Sequence, residues 1–351
     1  MPPHLLIATR INWRDVGSVI ASVAFRNFKA LRNTHLRLAP FNLVIGPNGS
    51  GKTSLIEALM RLRSLSRLPL REPVPESARE VVDGPEVTFR FTPPHEASEA
   101  VIGCVSDTQC DLLQVDPLGR DWPALRTKLQ GMRSYVLDHH AIAAHAPPRE
   151  GAELTVSGGN LAAVLATLRA QHPDAFGELR AELVRILPEF SDILCETRKD
   201  GLVGFQLVLA GTGERIPADN ISQGTLYLLA MLALAFDPTP PSVVCIEEID
   251  RGFHPRLLRE VRDVLYRLSH PNGFGLRRGP AQVIATTHSP YLLDLFRDHP
   301  EEVVISEKSG AAATFSRLAE RGDLKDLLAE GALGDMWFTG ILGGVPEERN
   351  E

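Results

Sequence analysis

Gly46-Pro47-Asn48-Gly49-Ser50-Gly51-Lys52-Thr53 has the form G-x-x-x-x-G-K-[ST]. The apolar run Phe41–Ile45 leads into it. Lys52–Leu65 follows, with Leu55, Ile56, Leu59, Met60 and Leu62 at helical spacing. Strand, glycine-rich turn and helix in that order are the context of a phosphate-binding loop. Glycines let the backbone wrap closely round phosphate oxygens with its N–H groups pointing inward. The helix that follows adds its positive end. Asn48, Gly49, Ser50, Gly51, Lys52, Thr53 and Ser54 are therefore the expected phosphate-side residues. Lys52 would reach the β- and γ-phosphates of a nucleoside triphosphate, and the Thr53 hydroxyl would ligate Mg²⁺.

Three downstream stretches extend this reading. Val243-Val244-Cys245-Ile246-Glu247-Glu248 is an apolar strand that ends in two carboxylates. Ligands bind at the carboxyl edge of a parallel sheet. There Glu247 would hold Mg²⁺ through water, and Glu248 would polarise an attacking water. Gln282–Thr286 is a second apolar strand, and Thr286-Thr287-His288-Ser289-Pro290 after it puts His288 where its ring would hydrogen-bond a γ-phosphate. Ile221-Ser222-Gln223-Gly224-Thr225-Leu226 opens an apolar helix over 222–236. Ser222 reads as its N-cap. With Gly224, the same helix start also reads as an anion site. The chain's own P-loop already supplies one helix end to the triphosphate, so a second would serve a phosphate bound by another subunit.

The rest of the chain supports a mixed architecture. Ile20–Phe28 and 34–38 read as strands. Residues 67–84, rich in Pro, Arg and Glu, read as an exposed connection. Strands are expected at Glu86–Phe91, 100–105, 110–115, 193–197 and Val203–Leu209, and helices at Leu161–Gln171 and Pro173–Ile186. Beyond 222, helix 222–236, strand 242–246, amphipathic helix 255–268 and strand Gln282–Thr286 alternate, which predicts a parallel sheet. Asp138-His139-His140 with His145 matches no metal-ligand spacing and reads as a polar loop. Residues 333–338 (Leu-Gly-Asp-Met-Trp-Phe) read either as an apolar docking segment or as a partner-binding tail.

Composition narrows the class. A chain of 351 residues suits two lobes, or one lobe with an insert. Apolar residues at 44% and charged residues at 23% exclude a mostly disordered chain. No apolar run approaches the roughly 18 residues of a membrane span, and Arg10, Arg14 and Asp15 interrupt any secretory leader. Cys104, Cys110, Cys195 and Cys245 form no CxxC pair and read as free thiols in a reducing cytoplasm. The net charge is −7, yet residues 1–72 carry a local +8. That asymmetry permits a polyanion-binding face, or equally arginines paired with acids elsewhere in the fold.

The order of P-loop, Ser-x-Gly helix start, paired-acid strand and histidine strand resembles the ATP-binding-cassette (ABC) ATPases. Within them it resembles the soluble branch with RecF, the structural-maintenance-of-chromosomes (SMC) proteins and the OLD-type nucleases, and most closely the stand-alone bacterial AAA-type ATPases. The resemblance covers about 19–66 and 215–306. Phe25-Arg26-Asn27-Phe28 resembles the start of these proteins near the nucleotide base, which makes Arg26 a base-side residue. The resemblance implies an α/β fold: a P-loop NTPase with an ABC-ATPase-type head, its mixed β-sheet flanked by helices. The head would comprise 1–66 and 215–320, around an inserted α+β or helical lobe at 67–214, with a tail at 321–351.

The implied cofactors are ATP and Mg²⁺. The implied assembly is a homodimer with each ATP held between one P-loop and the other copy's signature helix, here Ser222 and Gly224. Hydrolysis through Glu248 and His288 would act on DNA or gate an effector protein, a nuclease or toxin, in DNA repair or phage defence, with no membrane partner. The alternatives are a nucleotide-gated regulatory subunit with little turnover, or a transporter ATPase subunit. The sequence departs from the family pattern in several places. Glu247 stands where Asp is usual, Ile249 where many cassettes have Pro, and His254 where transporters carry an Asp. None of Gln109, Gln114 and Gln130 has the context of the Q-loop glutamine, and no acidic toprim-like domain follows His288.

Overall fold

The computed structural model describes residues 18–70, 84–106, 109–119, 121–149, 151–276 and 278–345. The chain opens with β1 (Ile20–Phe28) and β2 (Leu31–Arg37). Next, β3 (Phe41–Ile45) feeds the glycine-rich loop and α1 (Lys52–Leu65). A meander follows: β4 (Glu86–Phe91), β5 (Glu99–Cys104) and β6 (Cys110–Asp116). Then come α2 (Trp122–Gln130), β7 (Arg133–Tyr135), α3 (His139–Ala143), α4 (Leu161–Gln171) and α5 (Pro173–Ile186), and the strands β8 (Phe190–Thr197), β9 (Val203–Leu209) and β10 (Arg215–Pro217). The last third holds α6 (Gln223–Ala235), β11 (Val243–Ile246), α7 (Leu258–Ser269), β12 (Gln282–Thr286) and α8 (Pro290–Asp294). It ends with β13 (Val303–Ser309), β14 (Ala312–Arg317), α9 (Leu324–Glu330) and α10 (Leu333–Phe338).

Among the described residues, eleven strands form one sheet in the order β6-β5-β4-β1-β2-β14-β13-β3-β12-β11-β7. Its functional half is parallel: β13, β3, β12, β11 and β7. Its other half is antiparallel, from β2 through β1, β4 and β5 to β6. The join is β14, antiparallel to β13 and parallel to β2. Both edge strands, β6 and β7, contact α1, so the sheet curls round that helix. Residues 67–214 thus contribute β4–β7 to this sheet, while β8–β10 form a separate three-stranded one.

The parallel strands read as unbroken apolar runs because both of their faces are buried. Phe41, Leu43 and Ile45 face one core with Val244, Ile246, Val283, Ala285, Val303 and Ile305, under α3–α8. Val44, Val243, Cys245, Ile284 and Val304 face the other, with α1 and the antiparallel strands. Helix α6 lies deep in the first core, and every residue from Gly224 to Ala235 is buried. An all-round apolar helix takes such a place. By contrast, α7 buries one stripe, Leu258, Val261, Val264, Leu265 and Leu268. Gln282, 1% exposed, stitches the two halves together. Its Oε1 accepts from Val19 N and Ile20 N, and its Nε2 donates to the Ile20 and Ala39 carbonyls.

Several expectations are corrected. Cys104 and Cys110 are disulfide-bonded, not free. They are register partners across the β5–β6 hairpin, and only strand pairing brings them face to face. Cys195 and Cys245 are free, and burial raises both thiols, Cys195 to about 11. The 255–268 helix begins as a 3₁₀ turn, Pro255–Leu257, capped by His254 Nδ1. Strands β7, β10, β13 and β14 have no counterpart among the expected strands. Most of the expected 67–84 connection lies outside the described residues. In the tail, Leu333, Met336 and Trp337 are buried against the body while Phe338 is 82% exposed. No helix among the described residues is long and apolar enough to cross a membrane.

Candidate nucleotide-binding site

Strands β3, β11 and β12 lie side by side and parallel, so the loops after them share one edge. The loop after β3 is the P-loop. Gly46, Gly49 and Gly51 have φ of +147°, +74° and +98°, a region that favours glycine. A Cβ on Gly46 would stand 2.2 Å from the Ser306 carbonyl, and one on Gly51 2.8 Å from Leu31 Cδ2. The loop is therefore wedged between β13 and the β1–β2 turn. Ser306 Oγ secures it by donating to the Ser50 carbonyl at 2.5 Å. Asn48 and Gly49 are exposed at its tip, Ser50 is buried and Ser54 half-buried.

Lys52 is nearly enclosed, and its ammonium donates to the Gly46 and Pro47 carbonyls at 2.7 and 2.9 Å. Burial lowers its pKa to about 8, against the opposing pull of Glu247 and Glu248. Thr53 Oγ1 donates to Glu247 Oε2 at 3.0 Å. Glu248 is exposed and has φ +51°, a left-handed backbone costly for a non-glycine residue. Its N–H donates to Thr286 Oγ1 at 2.9 Å. His288 is also exposed; burial and the Lys52 charge lower its pKa. Lys52, Thr53, Glu247, Glu248 and His288 thus gather at one sheet edge.

Other expected residues lie apart. Arg26, on β1, donates to Glu86 Oε2 at 3.0 Å, and Lys29 pairs with Glu57. Two of the cations behind the amino-terminal charge are therefore ion-paired, and Arg10, Arg14 and Arg71 lie outside the described residues. Ser222 caps α6, accepting from Thr225 N at 3.3 Å. Gly224 is buried, and a Cβ there would stand 2.6 Å from the Gly252 carbonyl. Its small size is thus required by the loop that follows Glu248 in the same chain. None of the three glutamines lies at the carboxyl end of β7: Gln114 is on β6, Gln109 precedes it, and Gln130 ends α2. Asp138, after β7, is the N-cap of α3.

Sequence reasoning missed two residues. Asp250 Oδ1 accepts from Thr287 Oγ1 at 2.6 Å and from His288 N at 3.3 Å. With Ile249 N donating to the Thr286 carbonyl, it ties the glutamate loop to the histidine loop. Its signal was an acid two residues beyond Glu248. Lys308, exposed on β13, brings its ammonium within 3.6 Å of where a Gly49 Cβ would stand. Nothing in the sequence marks it, because β13 reaches the P-loop only through pairing with β3.

A family model described as "AAA domain, putative AbiEii toxin, Type IV TA system" matches residues 41–294. The chain belongs to this AAA-domain family. In this AAA domain the matched region runs from β3 to α8 and contains every strand-end motif described above. A stretch of 44 residues is 46% identical to the DNA replication and repair protein RecF of Erwinia tasmaniensis, 12% of each protein's length. Among solved structures, the SMC head domain from Thermotoga maritima is similar over 86% of this chain and 98% of that one, at 12% identity and a TM-score of 0.48. A recombination mediator protein RecF of the RecFOR pathway, solved with ATPrS, is similar over 84% of this chain and 97% of that one, at 11% identity and a TM-score of 0.41.

Proposed function

We propose that this AAA domain hydrolyses ATP with Mg²⁺, and that ATP holds two copies of the chain together. One observation carries the reading: the Thr53 hydroxyl and a Glu247 carboxylate oxygen stand 3.0 Å apart, within electrostatic reach of the Lys52 ammonium. Two hard oxygens, one from the first turn of α1 and one from the loop after β11, with an open side, fit the few protein ligands that Mg²⁺ takes. When bound, the metal would neutralise charge on the β- and γ-phosphates. Lys52 would exchange the Gly46 and Pro47 carbonyls for phosphate oxygens. Glu248, its backbone pinned by Thr286, would accept the proton of the attacking water. His288, held by Asp250 at its backbone N–H, would donate to a γ-phosphate oxygen. The exposed Ser222 cap of α6 is offered to a second copy's triphosphate, with Gly224 setting the close packing beneath it.

In this reading the head is 1–66 with 215–320, the insert 67–214 lends β4–β7 to the head's sheet, and 321–351 is the tail. The work is conformational: closed on ATP, open after hydrolysis, acting on DNA or gating an effector protein in DNA repair or phage defence. The short RecF likeness supports the DNA arm, and the toxin–antitoxin wording of the family description supports the effector arm. The need for ATP supports a cytoplasmic location; the Cys104–Cys110 bond weighs the other way. A second reading, a regulatory subunit with little turnover, is favoured by the Glu248 carboxylate being exposed and without a hydrogen-bond partner of its own among the described residues.

One experiment tests both readings. Phosphate release is measured with and without DNA, and molar mass is measured in parallel for Glu248→Gln, with Lys52→Ala as the control that should lose nucleotide binding. We expect turnover by the parent. Glu248→Gln should keep ATP, lose at least about 100-fold in rate, and accumulate as an ATP-bound dimer. Normal turnover by Glu248→Gln removes the base assignment. Tight ATP binding with almost no phosphate release by the parent selects the second reading.

A further inference from the structure

Residues 333–345 lie beyond the family match, yet they touch both ends of the candidate site. On one side, Gly334 N donates to Asp294 Oδ1 at 2.7 Å. A Cβ on Gly334 would stand 2.5 Å from the Pro290 carbonyl, and Pro290 opens α8 two residues after His288. On the other side, Gly344, with φ +64°, lies on the P-loop. A Cβ there would stand 3.5 Å from Gly46 Cα and 3.4 Å from the Ser306 carbonyl. Trp337, 7% exposed, joins the two sides, its Nε1–H donating to the Gly344 carbonyl at 3.0 Å. Leu342 is fully buried, and its carbonyl accepts from Arg321 at 3.2 Å.

We propose that 333–345 is a brace that sets the entrance of the P-loop against the histidine loop, with Trp337 as its positioning residue. The inference rests on the nucleotide reading above. Its logic is mechanical. Lys52 holds the Gly46 carbonyl, the Ser306 carbonyl walls Gly46, and Gly344 packs beside both. Transfer of Lys52 to phosphate frees that carbonyl, and Gly46 then moves only if Gly344 moves with it. Packed interiors transmit such shifts because they hold few voids. The Trp337 indole, bonded to Gly344, therefore registers occupancy of the P-loop, and the tail in turn sets the affinity for triphosphate.

The test uses the full chain carrying Trp13→Phe and Trp122→Phe, so that Trp337 alone emits. MgATP is titrated while emission is followed, and binding is measured independently by equilibrium dialysis. We expect an emission shift that saturates together with binding and is absent in Lys52→Ala. Trp337→Phe keeps an aromatic ring but loses the donor. It should weaken ATP binding about fivefold, the worth of one hydrogen bond, with little change in melting temperature. Gly344→Ala should act in the same direction and serves if Trp337→Phe does not fold. Unchanged emission at saturating MgATP, with unchanged affinity in these variants, overturns the brace and leaves the nucleotide reading intact. A parent that binds no ATP by dialysis overturns both.

Discussion

At the scale of single residues, the site depends on groups whose neighbours hold them in uncomfortable states. Glu248 sits in a left-handed backbone, and Lys52 is a buried cation with its ammonium lowered to about 8. Asp250 steadies the neighbouring histidine loop through Thr287 and the His288 N–H. If the chain turns over ATP as proposed, Asp250→Ala should lower kcat by about 100-fold, the cost of a small misplacement, with KM for ATP almost unchanged. Asp250→Asn, which keeps an acceptor oxygen, should recover most of the rate. A rise in KM alone would contradict this.

Glu302, far from that edge, is also a group under strain. Burial raises its carboxyl to about 7, even though Tyr266 hydrogen-bonds to it and His299 lies near. A folded pKa above the unfolded one stabilises the protein fully below about pH 4.5. That contribution fades as pH rises towards 7, and it amounts to on the order of 3 kcal/mol. Glu302→Gln should flatten the unfolding free energy between pH 4.5 and 7 in urea titrations. An unchanged slope would show that Glu302 does not titrate there.

At the scale of elements, the sheet is one object built from two differently wired halves. The parallel half supplies the chemical edge, and the antiparallel half curls over α1. Gln282 joins them with four hydrogen bonds from one buried amide. Gln282→Ala would take this partner from three buried groups, the Val19 and Ile20 N–H and the Ile20 carbonyl, while the Ala39 carbonyl keeps Asn42 Nδ2. Each costs about 1–3 kcal/mol, so the variant should lose roughly 3 kcal/mol of stability by denaturant unfolding. A loss below about 0.5 kcal/mol would mean that water replaces the amide. The same wiring explains Gly224: its place at the start of α6 is set by the Gly252 carbonyl as well as by any anion.

At the scale of the whole molecule, the distribution of charge sets which polyanions the surface can attract. The chain is acidic overall, and its amino-terminal excess of cations is partly consumed by Glu86 and Glu57. If about four of the remaining cations meet DNA phosphates, affinity should fall roughly 100-fold between 50 and 200 mM salt. Fluorescence anisotropy across that range measures the slope. A flat profile would assign those cations to ion pairs and would remove DNA as the partner of this face.

The P-loop, the two strand-end motifs and the elements that carry them are legible in the amino-acid order alone. The strands β1, β3, β4, β9 and β12 and the helices α1, α4 and α5 lie where the hydrophobic pattern placed them. These features are local: a glycine loop, an apolar run or a helical stripe is written within a dozen residues. Folding in three dimensions is what sets Cys104 against Cys110, Asp250 on the histidine loop, Lys308 over the P-loop and Gly344 near Gly46. Each of these joins elements through strand order or a chain reversal. No periodicity encodes which strands become neighbours, because that choice is made by burying both faces of one sheet at once.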